Sequence, residues 1–138
     1  MALDRLRSFF ESLQDSFLSG ELEATLANFS LPVVIYSVAG VTVLRNEAEF
    51  FHIAGQYRAA IIAKAVVNSH IEIVERDVAV GNRLRATVRA VDMNALGEKI
   101  TKSLIRYFLV QMDDSYRIEM MEYLEAPLQL NEIERIIH

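Results

Sequence analysis

Apolar positions near the start of the chain recur at spacings of three and four. Leu3, Leu6, Phe10, Leu13 and Phe17 fall on one stripe, with Asp4, Arg5, Arg7 and Glu11 largely off it. That period predicts an α-helix, ended by Ser19 and Gly20. Leu22, Leu26 and Phe29 suggest a second, short helix, with Glu21 and Glu23 set against the positive end of its dipole. Pro32 stops helical propagation, and the β-branched, aromatic run VVIYS that follows reads as a strand. Ala39-Gly40 ahead of VTVLR predicts a tight hairpin. The period then changes again: Asn46 and Glu49 have the spacing of a capping box, and Phe50, Ile53, Ala54, Tyr57 and Ile61 follow at helical intervals.

From Ala65 to the end of MMEYLEA, alternating or β-branched runs dominate, broken at AVGNR, NALGE and DDS. Four longer strands joined by such short connections form an antiparallel meander, because parallel neighbours need a long crossover. In the tail, PLQLNEIERIIH, Asn131 and Glu134 suggest another capping box, and Ile133, Ile136 and Ile137 share a side. A short helix within residues 128–138, docked on the rest of the chain, is expected. The order helix, helix, hairpin, helix, four strands predicts an α+β fold, with three helices from the N-terminal half packed on one face of a curved antiparallel sheet. No repeat and no Pro/Gly/Ser-rich linker divides the sequence, so residues 1–138 read as one domain.

Composition narrows the functional classes. A chain of 138 residues, 52% hydrophobic and 24% charged, describes one ordinary domain, able to bury about 68% of its unfolded surface. With no Cys there is no thiolate nucleophile, disulfide or Cys-ligated zinc. The start, MALDRLRSFFESLQDSF, has no basic segment leading into a long apolar run, and no apolar stretch approaches the roughly 20 residues that span a bilayer. A soluble, cytoplasmic chain is the expectation. A net charge of −5 disfavours a nucleic-acid partner. Glycine-rich phosphate loops, HExxH and closely spaced metal ligands are missing from the sequence, which implies no cofactor or metal.

Four pieces in this order, FLSGELEATLANF, VVIYSVAG, FFHIAGQYRAAI and MDDSYRIEMMEYLEAP, resemble the nuclear transport factor 2-like superfamily over roughly residues 5–127. The resemblance implies the cone-shaped fold shared by ketosteroid isomerases, scytalone dehydratase, polyketide cyclases and many non-enzymatic modules. Matched to a ketosteroid isomerase, the general base falls near Ser37, the oxyanion-hole tyrosine near Leu13 and the partner acid near Phe108. A proton shuttle needs a carboxylate and a dienolate needs donors, and these residues supply neither. A small shift of register admits Tyr36 and Tyr107 or Arg106, but still no base. The resemblance therefore argues against steroid isomerisation.

Other candidate chemistry rests on few residues. If the strands on either side of Gly81 pair symmetrically about it, His70 lies opposite Asp92 and Asp77 opposite Arg85. Asp92 could then orient His70 as a base, as a lyase or isomerase acting on a hydrophobic molecule would require, provided that face lines the cone. The alternative is a cross-strand pair on a wet surface. His52, beside the apolar stripe of its helix, and the terminal His138 read as exposed. Arg83, Arg85 and Arg89 suit either an anion pocket or an exposed lattice with Glu75, Asp77, Glu119 and Glu122. Tyr36, Tyr57, Phe108 and Met121, with Met112, Met120 and Tyr123, supply the bulky core of a Trp-free chain. They are also the candidates for lining an apolar pocket. In LIRYFLVQM both alternating faces are apolar, Leu104, Phe108 and Val110 on one and Ile105, Tyr107 and Leu109 on the other. Two apolar faces require two partners, the helices and a second subunit, so a homodimer is expected. A module that binds a small hydrophobic molecule as a dimer is the leading expectation, and a protein-binding module using the tail or the outer sheet is the other.

Overall fold

A computed structural model of the chain describes residues 2–137. The first stripe forms α1 (Ala2–Ser19), which turns Leu6, Phe9, Phe10 and Leu13 into the core. Gly20 follows with a φ of +84°, a left-handed conformation that lets the chain leave the helix at once. The guanidinium of Arg58 crosses this point, its Nε and Nη2 donating to the Leu18 carbonyl at 3.1 and 2.8 Å. A helix end that would otherwise leave carbonyls unpaired is thereby satisfied from a neighbouring helix.

The second helix, α2 (Leu22–Leu26), is shorter than the spacing of apolar residues suggested. Asn28 donates from Nδ2 to the Ala24 carbonyl and closes the helix. Phe29 then opens a strand, β1 (Phe29–Ser37), and pairs with Ile118. Pro32 lies inside β1, in the stretch between Phe29 and Val34 where the ladder is irregular and an N–H is not needed. A hairpin links β1 to β2 (Gly40–Leu44), with Ser37 opposite Gly40. The third helix, α3 (Glu47–Ile62), starts at the expected Asn46, whose side chain accepts from the Glu49 N–H at 2.9 Å. Glu49 returns the bond to the Arg45 N–H at 2.8 Å, one residue before the cap.

The meander is β3 (Asn68–Arg76), β4 (Arg83–Met93), β5 (Lys99–Met112) and β6 (Ser115–Glu125). The six strands form one sheet in the order β2-β1-β6-β5-β4-β3. One pairing departs from an all-antiparallel sheet: β1 runs parallel to β6. The chain between them, through β2, α3 and three strands, is long enough to make the crossover that parallel neighbours need. The fold is thus α+β with a mixed sheet. The tail forms α4 (Leu130–Ile137). It begins ahead of the position that the Asn131/Glu134 spacing implied, because Glu132 accepts from the Gln129 N–H at 3.0 Å. Among the described residues, no helix is long and apolar enough to cross a membrane.

Inside and outside are set by rows across the strands. Ala86, Tyr107, Met121, Ile35 and Thr42 succeed one another on the inner face, and Arg85, Phe108, Met120, Val34 and Val43 on the outer. The inner rows, with α1, enclose the core of Leu6, Phe10, Val33, Leu109 and Ile118. Leu109→Ala should therefore lose about 2–5 kcal/mol in urea unfolding. Val78→Ala, at a side chain 89% exposed, should stay within about 0.5 kcal/mol of the parent.

Candidate functional site

Beyond the packed core, the inner face of the sheet separates from the helices and leaves a cavity of about 140 Å³. Its wall is mostly apolar. Leu13 and Phe17 come from α1, Ile53, Tyr57 and Ile61 from α3, Ile105 and Tyr107 from β5, and Met121 and Tyr123 from β6. Ile133, Ile136 and Ile137 of α4 complete the wall, so the amphipathic tail closes over the cone. Lys64 pairs with Glu132 at 3.3 Å and ties α4 to the residues that follow α3. Drug-sized ligands occupy roughly 300–1,000 Å³, whereas a dry cavity of about 150 Å³ suffices for benzene. The space therefore suits a molecule of about one ring.

Polar side chains interrupt this wall, Gln14, Ser37 and Ser103 among them, and two features stand out. Asp92, on β4, is buried and lines the cavity. Its Oδ1 accepts from Ser69 Oγ and its Oδ2 from Thr101 Oγ1, both at 2.7 Å. Gln14 Nε2 in turn donates to Ser69 Oγ at 3.5 Å. Among the described residues, no Lys, Arg or His nitrogen comes within 4 Å of the Asp92 carboxylate. The second feature is the Tyr57 hydroxyl, which is enclosed although its ring borders the cavity, and which has no protein hydrogen-bond partner. Its ring lies 6.0 Å from that of Tyr123. The two hydroxyls interact without reaching good hydrogen-bond geometry.

Burial pushes the Tyr57 phenol well above its ordinary range, and the neighbouring Tyr123 and the charge of Asp92 push in the same direction. Tyr107 is raised by burial and then by Tyr123. Tyr123 is raised chiefly by burial, with a lowering from the Tyr57 hydroxyl and a further, smaller rise from Asp92. All three stay neutral phenols over the physiological range, able to donate or accept a hydrogen bond.

Of the residues singled out in the sequence, Tyr57, Met121, Tyr123 and Asp92 reach the cavity, as do Leu13, Ser37 and Tyr107. Tyr36 does not: it is 41% exposed on the outer face, while its neighbours Ile35 and Ser37 point in. Phe108 also lies outside, half-buried between Arg85 and Met120, and Tyr107 takes the inner position beside it. Met112 is exposed near the β5–β6 turn and Met120 is on the outer face.

The proposed His70–Asp92 pair is not formed. His70 lies opposite Val91 and is exposed, and Asp92 lies opposite Ser69. The cause is a register shift in β3 between Ile73 and Glu75. Beyond it the symmetric pairing holds, and Arg85 Nη2 meets Asp77 Oδ2 at 2.7 Å. Before it every side chain is moved by one place, so His70 turns outward while Asp92 stays inside. The arginines form the exposed lattice: Arg83 with Glu119, Arg89 with Glu125, and Arg106 with Glu122. His52 is an exposed helix residue, and His138 lies outside the described residues. No group of three or more His, Asp or Glu side chains that could hold a metal ion occurs among the described residues.

Ser69 and Thr101 are residues beside Asp92 that the sequence alone did not single out, and the three tail isoleucines were legible as one apolar side but not as part of the cavity wall. Tyr107 was legible as sharing a face with Ile105 and Leu109, but only the folded sheet turns that face inward. Ser69 was not, because only the irregular β3 ladder brings it to Asp92.

Neither a protein-family model nor a curated protein sequence matches the chain. Solved structures do match in fold. A nuclear transport factor 2-like protein of unknown function from Shewanella oneidensis superposes with a TM-score of 0.66 at 12% identity, covering 89% of this chain and 98% of the other. Another such protein, with a cystatin-like fold, from Novosphingobium aromaticivorans gives 0.67 at 15% identity over 94% and 86%. The protein Aln2 from a Streptomyces species gives 0.65 at 14% identity over 88% and 89%. The chain has the nuclear transport factor 2-like, cystatin-like fold.

Two outcomes follow from the buried phenols. Tyr57→Phe removes a hydroxyl with no protein partner, so its thermal midpoint should equal or exceed that of the parent. The raised folded-state values of Tyr57, Tyr107 and Tyr123 contribute stability that is fully present below the unfolded tyrosine value of 10.0 and lost as pH rises beyond it. Urea midpoints measured from pH 8 to 11 should hold steady and then fall near pH 10. A midpoint that stays level to pH 11 would contradict the buried-phenol description.

Proposed function

We propose that the chain is a homodimeric nuclear transport factor 2-like module that binds a small, largely apolar molecule inside its cone. The observation that carries this reading is the unpartnered Tyr57 hydroxyl in an apolar wall that also presents Asp92. Packed cores do not ordinarily leave a buried hydroxyl without a partner, and binding pockets are apolar hollows with a few polar groups that fix orientation. A lyase or isomerase built on His70 and Asp92 receives no support, since the two side chains lie on opposite faces of the sheet. The tail is poorly suited to capture another protein, because its isoleucines are turned toward its own cavity.

The dimer is supported by the outer face. Val34, Leu104, Phe108, Val110 and Met120 are half-buried there, Leu124 and Tyr36 are exposed, and the ion pair of Arg106 and Glu122 crosses among them. An apolar patch set among paired charges has the make-up of a protein interface.

Ligand-observed NMR with a set of neutral and charged single-ring compounds tests the pocket. Binders are expected, and Ile136→Trp, which fills the cavity from its rim, should abolish their signals while leaving the circular dichroism unchanged. Silence across the set would remove the pocket reading. Sedimentation equilibrium at micromolar concentration should give twice the mass of the chain, and Phe108→Arg should shift the population toward monomer. A monomeric parent would remove the dimer.

A further inference from the structure

The pocket reading can be taken further, because its polar groups are unequal in charge. Among the described residues that line the cavity, Asp92 is the single side chain that carries a formal charge. The others are apolar, hydroxyl or amide groups. A buried carboxylate is ordinarily paired with a cation, since removing it from water without one is expensive. Asp92 has two hydroxyl donors, Ser69 Oγ and Thr101 Oγ1, and no protein cation. A carboxylate accepts about four hydrogen bonds, so each oxygen retains capacity for another donor.

The walls around it are suited to an organic cation. Phe17, Phe50, Tyr57 and Tyr123 all border the cavity, and the Phe17 and Tyr123 rings lie 6.3 and 6.0 Å from that of Tyr57. Aromatic faces attract ammonium groups, most strongly where water is excluded. The Tyr57 hydroxyl is itself enclosed, so it is the ring of Tyr57 that meets a ligand in the cavity. A metal ion fits less well, because it requires several oxygen or nitrogen donors in one place and the described residues gather no such group. An anion would meet the Asp92 carboxylate with no compensating charge.

We infer that the cavity takes a ring-sized amine in its ammonium form, with Asp92 as counter-ion and the Tyr57 and Tyr123 rings against its body. This rests on the pocket reading and adds the chemical class of the ligand. The ring occupies the apolar end of the space, and the ammonium reaches the oxygens left available by Ser69 and Thr101.

Calorimetric or NMR titration of the full chain with benzylamine, benzyl alcohol and benzoate near neutral pH tests the inference. Benzylamine should bind about tenfold or more tighter than benzyl alcohol, and benzoate should not bind. Asp92→Asn should remove the preference for the amine while keeping the affinity for the alcohol. If benzyl alcohol binds as well as benzylamine, the pocket stands and the amine inference falls. If none of the three binds, the inference falls, and the wider compound set decides the pocket separately. Should Asp92→Asn fail to fold, the ranking of the three probes on the parent decides the question alone.

Discussion

The pairing of β5 on both of its edges governs the rest of this structure. The strand runs from Lys99 to Met112 with β4 on one side and β6 on the other, so its backbone groups are taken up along both edges. Its side chains then have no choice of face. Ser103, Ile105, Tyr107 and Leu109 are driven inward, and Leu104, Arg106, Phe108 and Val110 outward. Because β1 joins the sheet through β6, and β3 through β4, these two alternations fix which residues of every other strand can meet the helices. The packed half of the inner face forms the core against α1. The other half faces α3 and α4, and there the cavity opens.

Polar groups survive in that cavity because each is settled differently. Asp92 is held by two short hydroxyl bonds from the strands beside it, which fix both of its oxygens. The tyrosines are kept neutral by burial, so they contribute hydrogen-bonding capacity without charge. The closing helix depends on a mixed set of contacts: its isoleucines against the cavity, and Glu132 against the Gln129 N–H and Lys64. These partners, the Gln129 N–H first, hold the Glu132 carboxyl below its usual range. That contribution is present above the unfolded carboxylate value and lost as pH falls through the folded one. The cover over the cone is therefore electrostatically tied at neutral pH.

Shared fold and shared chemistry separate clearly here. The structural neighbours agree with this chain along most of its length at identities of 12–15%. At such identities the cone is common property and the residues inside it are not. Ser37 and Leu13, which the sequence resemblance alone set near the base and the oxyanion donor of a ketosteroid isomerase, do line the cavity. Neither can move a proton in the required way. The charged group here comes from β4 instead, and the phenols come from α3, β5 and β6.

Periodicity alone determined the elements and their order, because a buried helix stripe and a buried strand face leave marks at every third or fourth and every second residue, whereas both faces of β5 read as apolar and its inward side was decided by the packed sheet. It also marked Tyr57 and Met121 as bulky interior residues, and the tail as a helix with one apolar side. Strand direction was decided elsewhere: β1 lies parallel to β6 through contacts between distant segments, which no local pattern records. The site turned on a single irregularity. Hydrophobic alternation cannot announce where a ladder slips by one residue, and the slip between Ile73 and Glu75 exchanges His70 for Ser69 at the side of Asp92. Only the packed sheet selects that register, since it is there that Ile71 and Ile73 gain burial while His70 and Glu72 keep their water.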